Sequence, residues 1–325
     1  MRIARRRFLC LAGAAVAAPT IISSRAWSQA YPDRPIRFIV PLAAGGGTDY
    51  LARVTGEFIS RSLGQQVVVE NRTGAGGTLG IELAAKSPPD GYTVLFSNDN
   101  IASAPQILKV NGDYQKDLMP VILVARQPLV WAVHQSLNLN TLADFVIEMR
   151  QRPGKGYATS GVGSNQHFLG EWFLKEAGIK LDHVPYRGAG QAVNDLIAAH
   201  VPIAALGPTS MMSHYESKTL RFLAQSSQER SPTLPDTPTF QEAGFRGLVL
   251  DQWFGAFVPA GTPSAIIARL NAEFAKSLAV PSIREGMLKA ANEPVGGTPE
   301  DFARLVRDDS AKYARLSREL GIKAG

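Results

Sequence analysis

Apolar positions along this chain follow two alternating rhythms. Ile36-Arg37-Phe38-Ile39-Val40 is a short β-forming run closed by Pro41, and it predicts a strand. From Thr48 the apolar residues become Leu51, Val54, Phe58, Ile59 and Leu63, the three- and four-residue spacing of one helix face, with Gly64 placed as a stop. Val67 to Val69 predicts a second strand and Leu79 to Lys86 a second helix. After the turn Pro88-Pro89-Asp90-Gly91, Tyr92 to Phe96 predicts a third strand. Strands that alternate with helices in this way predict parallel α/β sheets.

The same alternation resumes beyond a less regular middle stretch. Leu129–Val133, Tyr157–Thr159, His183–Tyr186, Pro202–Leu206 and Leu220–Ala224 read as strands. Helices are predicted over Leu142–Arg150, from just after Asn165 to Ala177 before Gly178, and over Ala192–Ala199. Leu234-Pro235-Asp236-Thr237-Pro238-Thr239 is too proline-rich for a strand interior and reads as a connector. Leu248 to Val258 is apolar and long enough to cross between domains. The rest is helical, with starts at Thr262-Pro263 and Thr298-Pro299-Glu300-Asp301, each a capping threonine followed by proline at the first helical position.

Length adds that 325 residues suit about two domains. The formal charge of +6 is unevenly spread, because residues 1–30 hold five arginines and no acid, leaving 29 basic residues against 28 acidic ones. A nucleic-acid partner, which leans on a basic domain, loses its support. Arg5-Arg6-Arg7-Phe8-Leu9, an apolar run to Ile22 and Ser28-Gln29-Ala30 have the layout of an export signal with a small-x-small cleavage site. The apolar core is short of the ~20 residues that span a bilayer. The arginine cluster fits either twin-arginine or general secretion. Cys10, the one cysteine, falls inside this segment, so a chain starting at Tyr31 has no thiol for disulfides, catalysis or metal.

Chemistry-bearing motifs are few. There is no G-x-S-x-G, no H-E-x-x-H, no P-loop lysine and no glycine triplet in dinucleotide register, and the five histidines stand singly. No metal or cofactor is expected. What stands out is two glycine loops that each precede a helix: Ala44-Gly45-Gly46-Gly47-Thr48-Asp49 and Ser160-Gly161-Val162-Gly163-Ser164-Asn165. Glycine lets backbone N–H groups approach a ligand, and the helix start attracts an anion; both loops are also compatible with ordinary strand-to-helix turns. His167 either touches a ligand or packs on its helix. Asp49 either faces a cleft or caps a helix. Arg187, in the loop Arg187-Gly188-Ala189-Gly190, is either a ligand cation or a solvated surface residue.

The order of motifs carries a resemblance. Tyr31-Pro32-x-x-Pro35-Ile36-Arg37-x-Ile39-Val40-Pro41, Ala44-Gly45-Gly46-x-x-Asp49, Val69-Glu70-Asn71-Arg72-x-Gly74-Ala75-Gly76-Gly77 and Pro89-Asp90-Gly91-Tyr92-Thr93 appear in sequence. Ser160-Gly161-x-Gly163-Ser164, His183-Val184-Pro185-Tyr186-x-Gly188, Leu234-Pro235-Asp236-x-Pro238-Thr239 and Trp253-x-Gly255 to Pro263 follow. Together they resemble the solute-binding proteins of the tripartite tricarboxylate transporter family, the Bug-type receptors, over nearly all of the chain past residue 30.

The resemblance implies a periplasmic, two-lobed α/β flytrap with two crossings, and no enzymatic activity. Residues 1–30 would be the signal, 31–127 with 251–325 the first lobe, and 128–250 the second. It implies a small carboxylate ligand, with one carboxylate held by the first loop partly through waters and the second loop closing from the other side. The candidate ligand set is Ala44, Gly45, Gly46, Gly47, Thr48, Asp49, Asn98, Ser160, Gly163, Ser164, Asn165, His167, Tyr186, Arg187, Gly207 and Asp251. Separate membrane transporter subunits are the implied partners, and a monomer is expected. Two rivals remain at this stage: an exported enzyme using Asp49, His167 or Asp251, and a sensing module for a signalling partner.

Overall fold

Each apolar run bounded by proline or glycine becomes a strand, and each amphipathic run a helix lying on it. The computed structural model describes residues 31–322, so the export-signal reading of residues 1–30 lies outside the described residues. Strands are β1 Ile36–Val40, β2 Val67–Asn71, β3 Thr93–Asn98, β4 Leu118–Gln127, β5 Val130–His134, β6 Gly156–Thr159, β7 Asp182–Pro185, β8 Ile203–Leu206, β9 Leu220–Gln225, β10 Gln252–Pro259 and β11 Glu293–Pro294. Helices are α1 Gly47–Leu63, α2 Thr78–Ala85, α3 Asn100–Ser103, α4 Tyr114–Asp117, α5 Leu142–Gln151, α6 Asn165–Ala177, α7 Ala189–Ile197, α8 Met212–Glu216, α9 Ser264–Ala279, α10 Pro281–Lys289 and α11 Pro299–Leu320.

Two sheets result, ordered β11-β4-β10-β3-β1-β2 and β7-β6-β8-β5-β9. Neither is purely parallel, which corrects the reading from alternation alone. β1 runs parallel to β2 and β3, and β6 to β7 and β8, as helical crossovers require. β10 runs antiparallel to β3 and β4, and β5 antiparallel to β8 and β9. These strands carry the chain from one sheet to the other: β4 ends at Gln127 and β5 begins at Val130, while β10 starts the return at Gln252. A strand entered from the opposite lobe needs no helical crossover, so its direction is free.

Each lobe has its own aromatic centre. Phe38 and Phe274 stack at 5.6 Å beneath the first sheet, with Phe96 6.2 Å from Phe274. Trp131 meets Phe173 edge-on at 4.8 Å and Phe145 at 5.5 Å beneath the second. Gly64 ends α1 in the left-handed region, and Thr298 caps α11 by accepting from the Asp301 N–H. Thr262 departs from expectation: its hydroxyl donates to the Pro259 carbonyl, and α9 starts at Ser264 with no side-chain cap. Helix α11 packs against α6, where the Tyr313 ring lies tilted against that of Phe168 with centroids 4.9 Å apart. Among the described residues no helix is long and apolar enough to cross a membrane.

Candidate functional site

The two glycine loops do border one crevice, but each is pressed against a segment other than its counterpart. Residues 43–47 meet the loop that opens α7. The Ala43 N–H donates to the Arg187 carbonyl at 3.1 Å, and a Cβ placed on Gly46 would lie 3.4 Å from Ala189 Cβ. Gly190 fits this seam because a Cβ there would come within 2.5 Å of the Ala44 carbonyl oxygen. Residues 160–163 instead meet residues 74–77 and the α3 region. The Ser103 hydroxyl donates to the Gly163 carbonyl at 2.7 Å, and a Cβ on Gly76 would lie 2.6 Å from the Val162 carbonyl oxygen.

Between these seams lies a cavity of about 20 Å³, lined by Gly46, Gly47, Thr48, Asn98, Ser160 and Gly207 from the expected set. That is room for about one water molecule, so a larger ligand fits only when the lobes sit further apart. Gln127, Gln166 and Gln252 also line it, and so does Phe254; none of these was anticipated. Thr48, Asn98, Gln127, Ser160, Gln166 and Gln252 are all nearly inaccessible to solvent. Gln127 Nε2 donates to Gln252 Oε1 at 2.6 Å, Thr209 Oγ1 donates to Gln127 Oε1 at 2.8 Å, and the Ser160 hydroxyl donates to Gln166 Oε1. The buried Asn98 Nδ2 has no partner, which costs free energy unless a ligand or water accepts from it. The lining carries no ionised side chain, so an anion here would be held by neutral amides, hydroxyls and backbone dipoles.

An outer chamber of about 370 Å³ adjoins it, sharing Ser160 and bounded by Gly74–Gly77, Tyr186 and Arg187. Larger hollows elsewhere, such as the 710 Å³ concavity beside Tyr215 and Glu242, involve neither glycine loop.

The remaining candidates line neither chamber. Asp49, expected as a cleft or capping acid, holds the first loop in shape. It accepts from the Gly45 N–H at 3.2 Å, from Asn71 Nδ2 at 3.0 Å and from Arg53, whose nearest approach is 2.9 Å. Burial alone would raise its pKa, but these donors prevail and hold the carboxyl below its ordinary range. Ser164 caps α6, accepting from the His167 N–H and donating to the Gly161 carbonyl. His167 packs behind the loop, its ring stacked 3.9 Å from that of His183. Burial pushes His167 down to about 4; burial and the neighbouring His167 push His183 down to about 3. Both rings are neutral at pH 7. Asn165 is fully buried with both side-chain polar atoms unpaired. Asp251 sits at the entry to β10, pushed up to about 6 by burial. Ala44 and Gly45 contribute backbone to the seam, and Gly163 its carbonyl.

Comparison with known proteins places this geometry. BugT of Bordetella pertussis is 36% identical over 317 residues, covering 96% of this chain and 95% of its own. The solved structure of the periplasmic binding protein BugD superposes with a TM-score of 0.86 at 31% identity, over 90% of this chain and 99% of that one. Rpa4515 of R. palustris, solved with adipate, gives 0.87 at 32%, with the same coverage. The fold is thus that of two-lobed periplasmic binding proteins, and its function is that of a solute receptor. The model of the tripartite tricarboxylate transporter family receptor matches residues 51–322, and this chain belongs to that family.

Proposed function

We propose that this protein is an exported receptor that closes its two lobes over one small carboxylate and hands it to a transporter formed by separate membrane chains. One observation carries the reading: a crevice between the lobes, ringed by buried neutral donors, in which Asn98 Nδ2 has no partner. Charge-assisted hydrogen bonds contribute roughly 1.5–3 kcal/mol each, so four or five suffice for micromolar binding, about −8 kcal/mol, with a margin for ordering and closure. A structural relative bound to adipate supports the ligand class, and relatives described as periplasmic support the location. A receptor role, as opposed to catalysis, is supported by the placement of the titratable candidates. Asp49 is committed to its own loop, His167 lies behind the second loop, and Asp251 lines neither chamber. Closure follows from binding because the ligand touches both lobes only when they are shut.

The test is a thermal-shift panel of carboxylates on protein freed of co-purified ligand by unfolding and refolding. A ligand at 100 times its Kd adds about 2.7 kcal/mol, which raises Tm by several degrees. Silence across the panel, or turnover of a panel compound, rejects the proposal.

A further inference from the structure

The strand ends that line the inner cavity have a second face, and it is acidic. Asn98 closes β3, while Gln252 and Phe254 lie at the start of β10; all three line the cavity, and Asn98 pairs with Phe254 across the sheet. Their chain neighbours Asp99 and Trp253 turn the other way, toward α11. Asp99 accepts from the Tyr313 hydroxyl at 2.5 Å, and Trp253 Nε1 donates to Asp309 Oδ2 at 2.6 Å. Asp251, just before Gln252, lies close enough to Lys312 and Asp309 to feel both. Three carboxyl groups thus stand behind a cavity whose own lining is neutral.

Asp99 is the one whose surroundings favour a proton. It is fully buried, Tyr313 is its one side-chain donor, and its Oδ1 has no partner among the described residues. Lys312, the cation of α11 that acts on it, is committed to Asp309 at 2.8 Å. A buried carboxylate with so little compensation is costly, and the neutral acid is favoured. Burial pushes Asp99 up to about 8; the Tyr313 hydrogen bond and Lys312 oppose this, and Asp309 reinforces it. Asp251 rises only to about 6, through burial, with Arg126 and Lys312 opposing and Glu293 and Asp309 reinforcing, so it is ionised above pH 7. Burial holds Tyr313 well above its ordinary range. Helix α6 packs on Tyr313 through Phe168, and its His167 and Glu171 are engaged with His183 and Tyr157.

The backbone sets this acid directly behind the donor offered to an anion. Asn98 Oδ1 accepts from the Asn100 N–H at 3.3 Å, so Nδ2 is the end left for a ligand. The Asp99 carbonyl accepts from the Ala102 and Ser103 N–H groups at 2.9 and 3.0 Å, which fixes the turn between donor and acid. A charge on Asp99 and a carboxylate in the cavity would repel through a dry interior, where screening is weak.

We propose that Asp99 is a proton-holding acid whose neutrality lets the crevice accept an anion, so that carboxylate binding by this receptor is coupled to proton uptake at Asp99. This rests on the function proposed above and adds its regulation. The coupling has a definite sign: a bound anion favours protonated Asp99, and an ionised Asp99 disfavours the anion, by the same factor.

Isothermal titration tests it with succinate, adipate and benzoate, all ionised between pH 7 and 9. With a coupling of about tenfold, one pKa unit, wild-type Kd weakens about fivefold from pH 7 to 9. Enthalpies compared in HEPES and Tris near pH 8.5 give uptake of about half a proton per bound anion. Asp99→Asn, which fixes the neutral state, holds its Kd within about twofold over that range and takes up no proton. Tyr313→Phe removes the donor that favours the charged form, so the loss of affinity moves to higher pH. Ligand-free Tm verifies folding; if Asp99→Asn does not fold, the wild-type proton count and the Tyr313→Phe displacement decide. A flat Kd with no proton uptake, or a pH dependence that survives Asp99→Asn, overturns the coupling while leaving the receptor reading intact. Binding of none of the three acids rejects the carboxylate reading and this coupling with it.

Discussion

The two seams that close the crevice are built from similar sequence and work differently. In the seam between residues 43–47 and 187–190, small residues bring backbone against backbone, joined by the Ala43 to Arg187 hydrogen bond. In the seam between residues 74–77, 103–108 and 160–163, side chains take part: Ser103 donates across it, and Leu108 packs within 3.5 Å of where a Cβ on Gly163 would stand. The first is a steric gauge at Gly188 and Gly190, where an added Cβ would fall 2.8 Å from the Ala43 nitrogen and 2.5 Å from the Ala44 carbonyl oxygen. The second is a set of directed contacts backed by a stacked histidine pair. Glycine runs that look alike in sequence therefore serve close approach in one place and a shaped, capped loop in the other.

Adding a methyl group to the first seam should break it with the largest effect. Gly190 has ordinary helical backbone, so Gly190→Ala favours α7 by about 0.5–1 kcal/mol while setting a Cβ 2.5 Å from the Ala44 carbonyl. Overpacking costs roughly 1–3 kcal/mol, so carboxylate affinity falls about ten- to a hundredfold while ligand-free Tm holds or rises. Small-angle scattering should show that ligand no longer compacts the variant. Full compaction with unchanged affinity would mean that the seam yields.

Ser103→Ala addresses the second seam alone. It leaves the Gly163 carbonyl without its donor, at a cost of about 1–2 kcal/mol, and should weaken binding by roughly five- to thirtyfold. Because the seams lie on separate contacts, combining it with Gly190→Ala should add the two free energies to within about 0.5 kcal/mol, read by titration of the four proteins.

Acid should sharpen the contrast with the smallest effect. Folding lowers the pKa values of His167 and His183 from 6.5, to about 4 and about 3. The unfolded chain therefore takes up their protons first, and their contribution to stability is lost as pH falls from about 6.5 toward 4. Wild type should lose on the order of 1 kcal/mol more than His183→Gln between pH 6.5 and 5, measured by urea unfolding. Hydrogen exchange, corrected for intrinsic rate, should rise in residues 160–168 and not in 43–47.

Much of the fold is visible along the chain because local signals act locally. Apolar runs cut by Pro41, Gly64 or Gly178 mark elements whose ends depend only on neighbouring residues, and the Thr298-Pro299 cap behaves as its chemistry predicts. β4 escaped this reading: Pro120 interrupts an apolar run whose identity as a strand comes from pairing with β10, over a hundred residues away. The same distance hides Gln127 and Gln252, two unremarkable amides that only the topology brings together. Asp49 misled in the opposite sense. A carboxylate opening a helix after three glycines looks like ligand chemistry, but its partners Asn71 and Arg53 make it the brace of the loop that lines the cavity.

The Gln127–Gln252 bond ties the end of β4 to the start of β10, the two points where the polypeptide leaves and re-enters the first sheet. It is also part of the cavity lining, packed so closely that a Cβ on Gly207 would fall 2.1 Å from Gln127 Nε2. Axle and floor are thus one object. On the function proposed above, a solute that settles on those amides bears on the pivot itself, with no relay between occupancy and lobe angle.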